Sequence, residues 1–257
     1  MRVNGKYVSQ ALCVFRFTLD PEVRLKVREL EKAFHGQFPG QAEVLNVPDS
    51  AQSTLTRLAL RAGNKSLNVS QVSAQLTLEF EAKSMSLERQ LEVIERNLQD
   101  FSRNVRTFRQ AVGLEESGII VTVNYPSDES SSTLHQHVFD RFFKIEPRGS
   151  VASVGFQIGF ETPRETYENY AVGVYELRTK HFDAPVTVGP SSPLSIAVSD
   201  IPVTEQGLEF KIDINNRPVF KAGSRTEDRD PMPLFKRIRE IILNESDGLL
   251  EVSLLRF

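Results

Sequence analysis

The sequence predicts an α+β fold of two related units, each a mainly antiparallel sheet with helices packed on one face. The first observation is that a helix, a short polar turn and a strand pattern follow one another twice. Residues 87–112 form a long amphipathic stretch before the strand-like residues 119–123, and residues 234–243 precede the strand-like residues 249–255. The second observation is that a series of alternating strand patterns comes before each of these helices.

A polar segment marks the predicted boundary between the units. Residues 125–133 are rich in serine and contain Pro126, which is typical of a linker. We therefore predict an N-terminal α+β unit of residues 1–126 and a C-terminal α+β unit of residues 127–257. The sequence leaves open whether the two units share one sheet.

The N-terminal unit is predicted to start with a strand and a short helix. Residues 8–19 are mostly apolar, as in a strand covered on both faces. Asp20-Pro21 predicts a helix start, because aspartate is a good N-cap and proline is favoured at the first helical position. The following residues place apolar side chains on one face at Val23, Val27, Leu30 and Phe34.

An antiparallel meander is predicted next. Residues 55–61 and 67–72 flank the turn-forming pair Gly63-Asn64, and residues 76–80 continue the alternation of apolar and polar side chains.

The longest helix has the clearest period in the chain. Ser86 is its predicted N-cap. Eight apolar residues recur at alternating spacings of four and three, which is the pattern of a heptad seam: Leu87, Leu91, Ile94, Leu98, Phe101, Val105, Phe108 and Val112. The helix would be about 40 Å long. The seam favours packing across the protein's own sheet over pairing with a helix of another chain.

The C-terminal unit is predicted to begin with a helix at residues 134–143. Strand patterns follow at residues 151–160, 170–177, 194–198 and 208–214. The polar residues 223–231 are predicted to form an exposed loop before the last helix.

Composition limits the classes of function. The chain has 257 residues and a formal net charge of −3, from 31 basic and 34 acidic residues. This balance disfavours general binding to nucleic acid, which requires a concentrated positive field. No stretch is apolar enough to cross a membrane and the N-terminus lacks a signal peptide, so we expect no membrane association and a cytoplasmic location. Cys13 lies in an apolar run and is predicted to be a core thiol.

No catalytic residue, metal site or cofactor is predicted. His135 and His137 lie in a helical pattern. Residues that are two positions apart in a helix lie on nearly opposite faces, so these two side chains are poorly placed to share a metal ion. The sequence contains neither a glycine-rich phosphate loop nor a nucleophile elbow.

A row of arginines accompanies the apolar seam of the long helix. Arg89, Arg96 and Arg103 recur every seven residues, and Arg106 follows the last of them. Carboxylates are interleaved, with Glu92 and Arg96 four residues apart, which favours a solvated face with ion pairs. The alternative is that Arg89, Arg96, Arg103 and Arg106 bind an acidic partner or RNA.

Taken in order, these elements resemble an uncharacterised, sporadically distributed bacterial protein family. The residues that carry the resemblance are Phe15-Arg-Phe17, Phe38-Pro39, the meander, the long helix, Asp213 and the Leu234–Glu240 stretch. The family implies no established reaction. Its scattered distribution is like that of mobile or defence-associated genes, which implies a partner-binding or sensing role.

Three functional hypotheses follow. The leading one is a non-enzymatic protein-interaction or sensing component of a bacterial multi-component system, with a protein partner or self-association into an oligomer. The second is a nucleic-acid-binding module that uses the arginine row. The third is an enzyme with an unrecognised site, which a deep polar pocket would favour.

Overall fold

The computed structural model describes most of the chain. The described residues are 1–48, 50–82, 84–109, 113–163, 165–179, 201–218 and 230–254. The predicted strand at residues 194–198 and nearly all of the predicted loop at residues 223–231 lie outside them.

The described chain consists of groups of strands separated by helices. The strands are β1 (Arg2–Val3), β2 (Tyr7–Phe17), β3 (Glu43–Val44), β4 (Thr56–Ala62), β5 (Lys65–Ser70), β6 (Ser73–Glu79), β7 (Leu114–Pro126), β8 (Phe156–Glu161), β9 (Tyr167–Arg178), β10 (Val203–Asn215) and β11 (Ser253–Leu254). The helices are α1 (Val27–Phe34), α2 (Leu87–Arg109), α3 (Ser131–Phe142), α4 (Met232–Glu240) and α5 (Ser246–Leu250). A 3₁₀ turn, Val23–Lys26, leads into α1, and a π-helical turn, Ile241–Glu245, joins α4 to α5.

One large antiparallel sheet organises the fold, which confirms the α+β class. In the part of the chain that the structure describes, nine strands lie in the order β3-β4-β5-β6-β2-β7-β10-β9-β8. The chain termini form a separate parallel pair, in which Arg2 lies opposite Ser253 and Val3 opposite Leu254.

The two predicted units share this sheet. Strand β7, at the end of the predicted N-terminal unit, pairs with β10 from Gly118 opposite Asn215 to Pro126 opposite Gly207. The backbone hydrogen bonds therefore run directly across the predicted boundary at residue 126. A duplicated unit is not confirmed by this arrangement.

The prediction that residues 249–255 form a strand after the last helix is wrong for the most part. Leu249 and Leu250 belong to helix α5, and Leu250 is buried in the core. Glu251 ends the helix in a left-handed conformation with φ of 50°. Among the described residues 249–254, only Ser253 and Leu254 form a strand, and they pair with β1 instead of the large sheet. A short apolar run has no period that distinguishes a buried strand from a buried helix, which explains the error.

Helix α2 packs its apolar seam onto the protein's own sheet, as the sequence favoured. Leu87 is half-buried, whereas the six seam residues from Leu91 to Phe108 are buried. The amide of Arg89 donates to the hydroxyl of Ser86 at 3.3 Å, so Ser86 caps the helix as predicted. Helix α2 ends at Arg109, and Val112 lies outside the described residues.

The strand pattern separates a face that carries the helices from an opposite face. Cys13, Val121 and Ile212 point to the helices and are buried. Their neighbours along the strands, such as Leu12, Ile120 and Asp213, lie opposite one another on the other face and are only half-buried. None of the described helices is long and apolar enough to span a lipid bilayer.

Candidate functional site: the arginine-lined groove of helix α2

Three of the four arginines singled out in the sequence lie on the side of α2 that faces away from the sheet, and Arg106 lies at the edge of that side. Seven residues are about 20° short of two helical turns, so Arg89, Arg96 and Arg103 form one row along the helix. All three side chains are exposed, and Arg106 is half-buried. The apolar seam occupies the opposite side, which fixes the orientation of the row toward solvent.

Two members of the row pair with carboxylates on the same helix. Nη1 of Arg89 lies 2.7 Å from Oε2 of Glu92, and Nη2 of Arg103 lies 2.5 Å from Oδ1 of Asp100. Glu92 thus pairs with the arginine three residues before it, whereas the sequence suggested Arg96, four residues after it. Exposed pairs of this kind contribute a few tenths of a kcal/mol each.

A cross-helix ion pair joins α2 to α4. Nη1 of Arg239 lies 3.1 Å from Oε2 of Glu95. Because both side chains are half-exposed, the pair contributes little to stability. The carboxylate of Glu95 is nevertheless paired with Arg239 of the same chain.

A groove separates the C-terminal half of α2 from the start of α4. It has a volume of about 540 Å³. We call this the helix groove, and it is lined by Gln99, Ser102, Arg103, Arg106, Thr107, Asp230 and Met232. The carboxylate of Asp230 accepts a hydrogen bond from the amide of Met232 at 3.1 Å, which shapes the entry into α4. The groove therefore brings two of the four predicted arginines together with hydroxyl and amide side chains.

Arg89 and Arg96 do not reach the helix groove. Each lies farther toward the start of α2 and is absent from the groove lining. The predicted set of four therefore divides into two arginines that share a concave site and two that lie on the open helix surface.

A fifth arginine at the end of α2 has a different environment. Arg109 is buried, stacks on the ring of Phe17 with its Cζ 4.2 Å from the ring centroid, and forms an ion pair with Asp20. Lys26 approaches the same carboxylate at 2.6 Å. Burial opposes ionisation of Asp20, but the hydrogen bonds from Lys26 and Arg109 outweigh it and hold its pKa below the ordinary value. Arg109 is thus part of the protein's interior framework.

His137 and Cys13 have structural surroundings. Nε2 of His137 lies 2.8 Å from the carbonyl oxygen of Leu250, so this ring connects α3 to α5. Cys13 is buried as predicted, and burial raises the pKa of its thiol. Within the described ranges, no group of three or more histidine, cysteine, aspartate or glutamate side chains is placed to hold a metal ion.

Sequence reasoning did not find a cluster of polar side chains around the carboxylate of Glu205 at one end of the sheet. The phenols of Tyr7 and Tyr175 both donate to Oε1 of Glu205, at 2.7 and 2.8 Å. Asn124 donates to the Tyr7 oxygen at 3.2 Å. These residues come from four strands that are distant in sequence, so no local motif connects them.

Comparison with known protein families, with curated proteins and with solved structures gives no significant match. The resemblance to a bacterial family therefore stays a prediction.

Proposed function

We propose that this protein is a non-enzymatic interaction component that binds an acidic segment of a partner polypeptide in the helix groove. The observation that carries the proposal is the convergence of Arg103 and Arg106 on one concave site between two helices. The proposal includes the expectation from the sequence that the partner belongs to a bacterial multi-component system.

The chemistry of the groove supports an acidic ligand. A guanidinium group presents several donors in a planar fork that matches a carboxylate, and it is more weakly hydrated than an ammonium group. The side chain of Arg103 is 71% exposed. Its present partner, Asp100, lies on the helix surface, so a carboxylate of a partner can replace or extend this exposed pair at low cost.

The other lining residues suit a polypeptide. Gln99 supplies an amide that both donates and accepts hydrogen bonds, and Ser102 supplies a hydroxyl. Met232 adds a flexible apolar surface, which is common in sites that adapt to partner side chains. An amphipathic acidic segment would therefore find both charge and apolar contacts.

The burial of the heptad seam changes how association is expected to occur. Because Leu91, Ile94 and Leu98 are buried within the fold, the seam is not available to a helix of another chain. Any association, including self-association, would have to use an exposed surface such as the helix groove. Size-exclusion chromatography with light scattering measures the oligomeric state.

Fluorescence anisotropy with a labelled peptide of alternating glutamate and leucine tests the proposal. We expect saturable binding that weakens as salt is raised. Arg103→Gln should weaken the binding about tenfold, which corresponds to the loss of one charge-assisted contact. Arg89→Gln is the matched control, because Arg89 is also exposed and paired with a carboxylate three residues away but lies outside the groove.

The outcomes separate the proposal from its alternatives. Equal loss in Arg103→Gln and Arg89→Gln, or no peptide binding at low salt, would contradict the proposal. Tighter binding of labelled single- or double-stranded RNA or DNA than of the acidic peptide at low salt would favour the nucleic-acid alternative, because phosphate contacts are strongest there.

A further inference from the structure

A second concave site lies at the end of the sheet where β2 begins and β7 ends. It is a cavity of about 620 Å³. The cavity lies between the starts of β2, β10 and α2 and the end of β7 with the first residues of the loop that follows it. We call this the strand-end cavity. The residues that matter for its chemistry are Lys6, Tyr7, Met85, Leu87, Asp128 and Glu205. Its volume lies within the range of small-molecule sites in proteins.

The carboxylate of Glu205 is held in a fixed position. Because Tyr7 and Tyr175 both donate to Oε1, the side chain is oriented by two phenols from two other strands. Within the part of the chain that the structure describes, Oε2 has no hydrogen-bond donor. Burial and the hydrogen bond to Glu205 raise the pKa of Tyr7 to about 12, so its phenol keeps its proton and remains a donor at neutral pH.

Lys6, the lysine among the described residues of the lining, directs its charge away from the cavity. Nζ of Lys6 lies 2.7 Å from Oδ1 of Asp247 and 2.7 Å from the carbonyl oxygen of Ile242. Its side chain is 8% exposed, so its stem lines the cavity while its ammonium group is bound inside the fold. Among the described residues of the lining, the carboxylates of Glu205 and Asp128 therefore carry the remaining charge.

The remaining wall is partly apolar. Met85 and Leu87 at the start of α2 are half-buried, and Val203 at the start of β10 lines the opposite side. Apolar side chains beside preorganised carboxylates are complementary to a cation that carries a hydrocarbon chain. Neither a plain anion nor a fully polar ligand would match both parts of the lining.

We infer that the strand-end cavity binds an alkyl chain that ends in a primary ammonium or guanidinium group, with Glu205 as the main charge partner and Asp128 as the second. Free polyamines and the lysine or arginine side chains of a polypeptide share this chemistry. The site is separate from the helix groove, and it does not depend on the proposed binding of an acidic segment.

Isothermal titration calorimetry of the full chain tests the inference with pentylammonium, neutral pentanol and anionic pentanoate as probes. We expect pentylammonium to bind at least about tenfold more tightly than pentanol, and pentanoate not to bind. Cadaverine and N-acetyl-lysine methylamide then distinguish the two sources: tighter binding of cadaverine indicates a free polyamine, and tighter binding of the lysine derivative indicates a polypeptide side chain.

Variants locate the binding. Glu205→Gln should weaken pentylammonium binding about tenfold and leave pentanol binding unchanged. Glu209→Gln is the matched control, because Glu209 lies on the same strand and face but outside the cavity. If Glu205→Gln fails to fold, Asp128→Asn on the exposed rim tests the same charge contribution with a smaller expected loss.

Three results would overturn the inference. They are equal affinity for pentylammonium and pentanol, the absence of pentylammonium binding at millimolar concentration, and an equal loss in the Glu205 and Glu209 variants. Arg103→Gln should leave pentylammonium binding unchanged, so failure here and failure of the proposed function are distinguishable.

Discussion

The ammonium group of Lys6 lies 2.7 Å from the carboxylate of Asp247, although 241 positions separate the two residues in the chain. The phenol of Tyr125, on the interior strand β7, donates to Ser246 beside this pair at 2.7 Å. The start of the chain, the interior of the sheet and helix α5 thus meet at one partly buried polar cluster. The two halves of the chain therefore depend on each other for their structure.

Loss of the lysine should destabilise the whole fold. Lys6→Met removes the ammonium group that donates to the carbonyl of Ile242 and pairs with the carboxylate of Asp247, and we expect a loss of about 2 kcal/mol in the free energy of unfolding. The estimate is moderate because Asp247 is 35% exposed and regains some hydration. Urea denaturation measures the change. Arg89→Met breaks an ion pair whose members are 54% and 52% exposed, and it should cost less than about 1 kcal/mol. Similar losses for both variants would show that the Lys6 cluster has no special role.

The buried Asp20 should make stability depend on pH. Its pKa is below the ordinary value of 3.8 in the folded protein. A depressed folded pKa adds stability above the unfolded pKa, and that stability disappears as pH falls through the folded pKa. The difference in unfolding free energy between the wild type and Asp20→Asn should therefore be largest above about pH 5 and shrink toward about pH 2.

Urea denaturation over this pH range checks the Asp20 prediction. Asp140→Asn, at an exposed position on α3, should change stability little at any pH. A difference between wild type and Asp20→Asn that stays constant or grows as pH falls would contradict the expectation.

A cavity in the buried seam of α2 should lower the free energy of unfolding strongly. Phe101 is fully buried, and its ring centroid lies 5.4 Å from that of Phe15 and 6.2 Å from that of Phe34. Phe101→Ala should cost about 3–5 kcal/mol, because it removes buried contacts and leaves a void. Glu88→Ala, on the exposed side of the same helix, should change stability by less than about 0.5 kcal/mol. Thermal unfolding followed by circular dichroism checks this, and comparable melting temperatures would refute the packing of the seam on the sheet.

The predicted N-terminal unit should not fold by itself. A chain of residues 1–126 keeps β7 but loses β10, its hydrogen-bonded neighbour, and it also loses Asp247, the partner of Lys6. We expect aggregation or the absence of a cooperative unfolding transition. Coexpression with residues 127–257 should restore a soluble complex. A soluble fragment of residues 1–126 with a cooperative transition would instead support an independent unit.

Local periodicity was sufficient to predict most elements of the N-terminal half, although helix α1 begins at Val27 and not directly after Asp20-Pro21. The seam of α2 repeats over seven residues, and each of its described members faces the sheet or its edge. Strands β4 and β5 form the predicted hairpin, and Gly63 takes the positive φ of 56° that its tight turn requires. The structure of long, regular segments can be predicted from the sequence because the residues of the buried face recur with a single period.

The contacts that define the cavity and the chain ends could not be predicted in this way. Lys6 and Asp247 meet only because β1 pairs with β11, and Glu205 meets Tyr7 only because β7 joins β2 to β10. Nothing in the residues adjacent to these side chains indicates their partners. The arginine row was visible from its spacing, but the selection of Arg103 and Arg106 depends on the position of α4, which the sequence does not specify.

The most direct test of the helix groove is to map, by two-dimensional NMR of the full chain, which backbone amides respond to the acidic peptide of alternating glutamate and leucine. Binding in the groove predicts chemical-shift changes at Ser102, Thr107 and Met232, with little change at Glu88 or at the strand-end residues Tyr7 and Glu205. Changes confined to surfaces away from Ser102, Thr107 and Met232 at saturating peptide, or none at all, would contradict the proposed role of the groove.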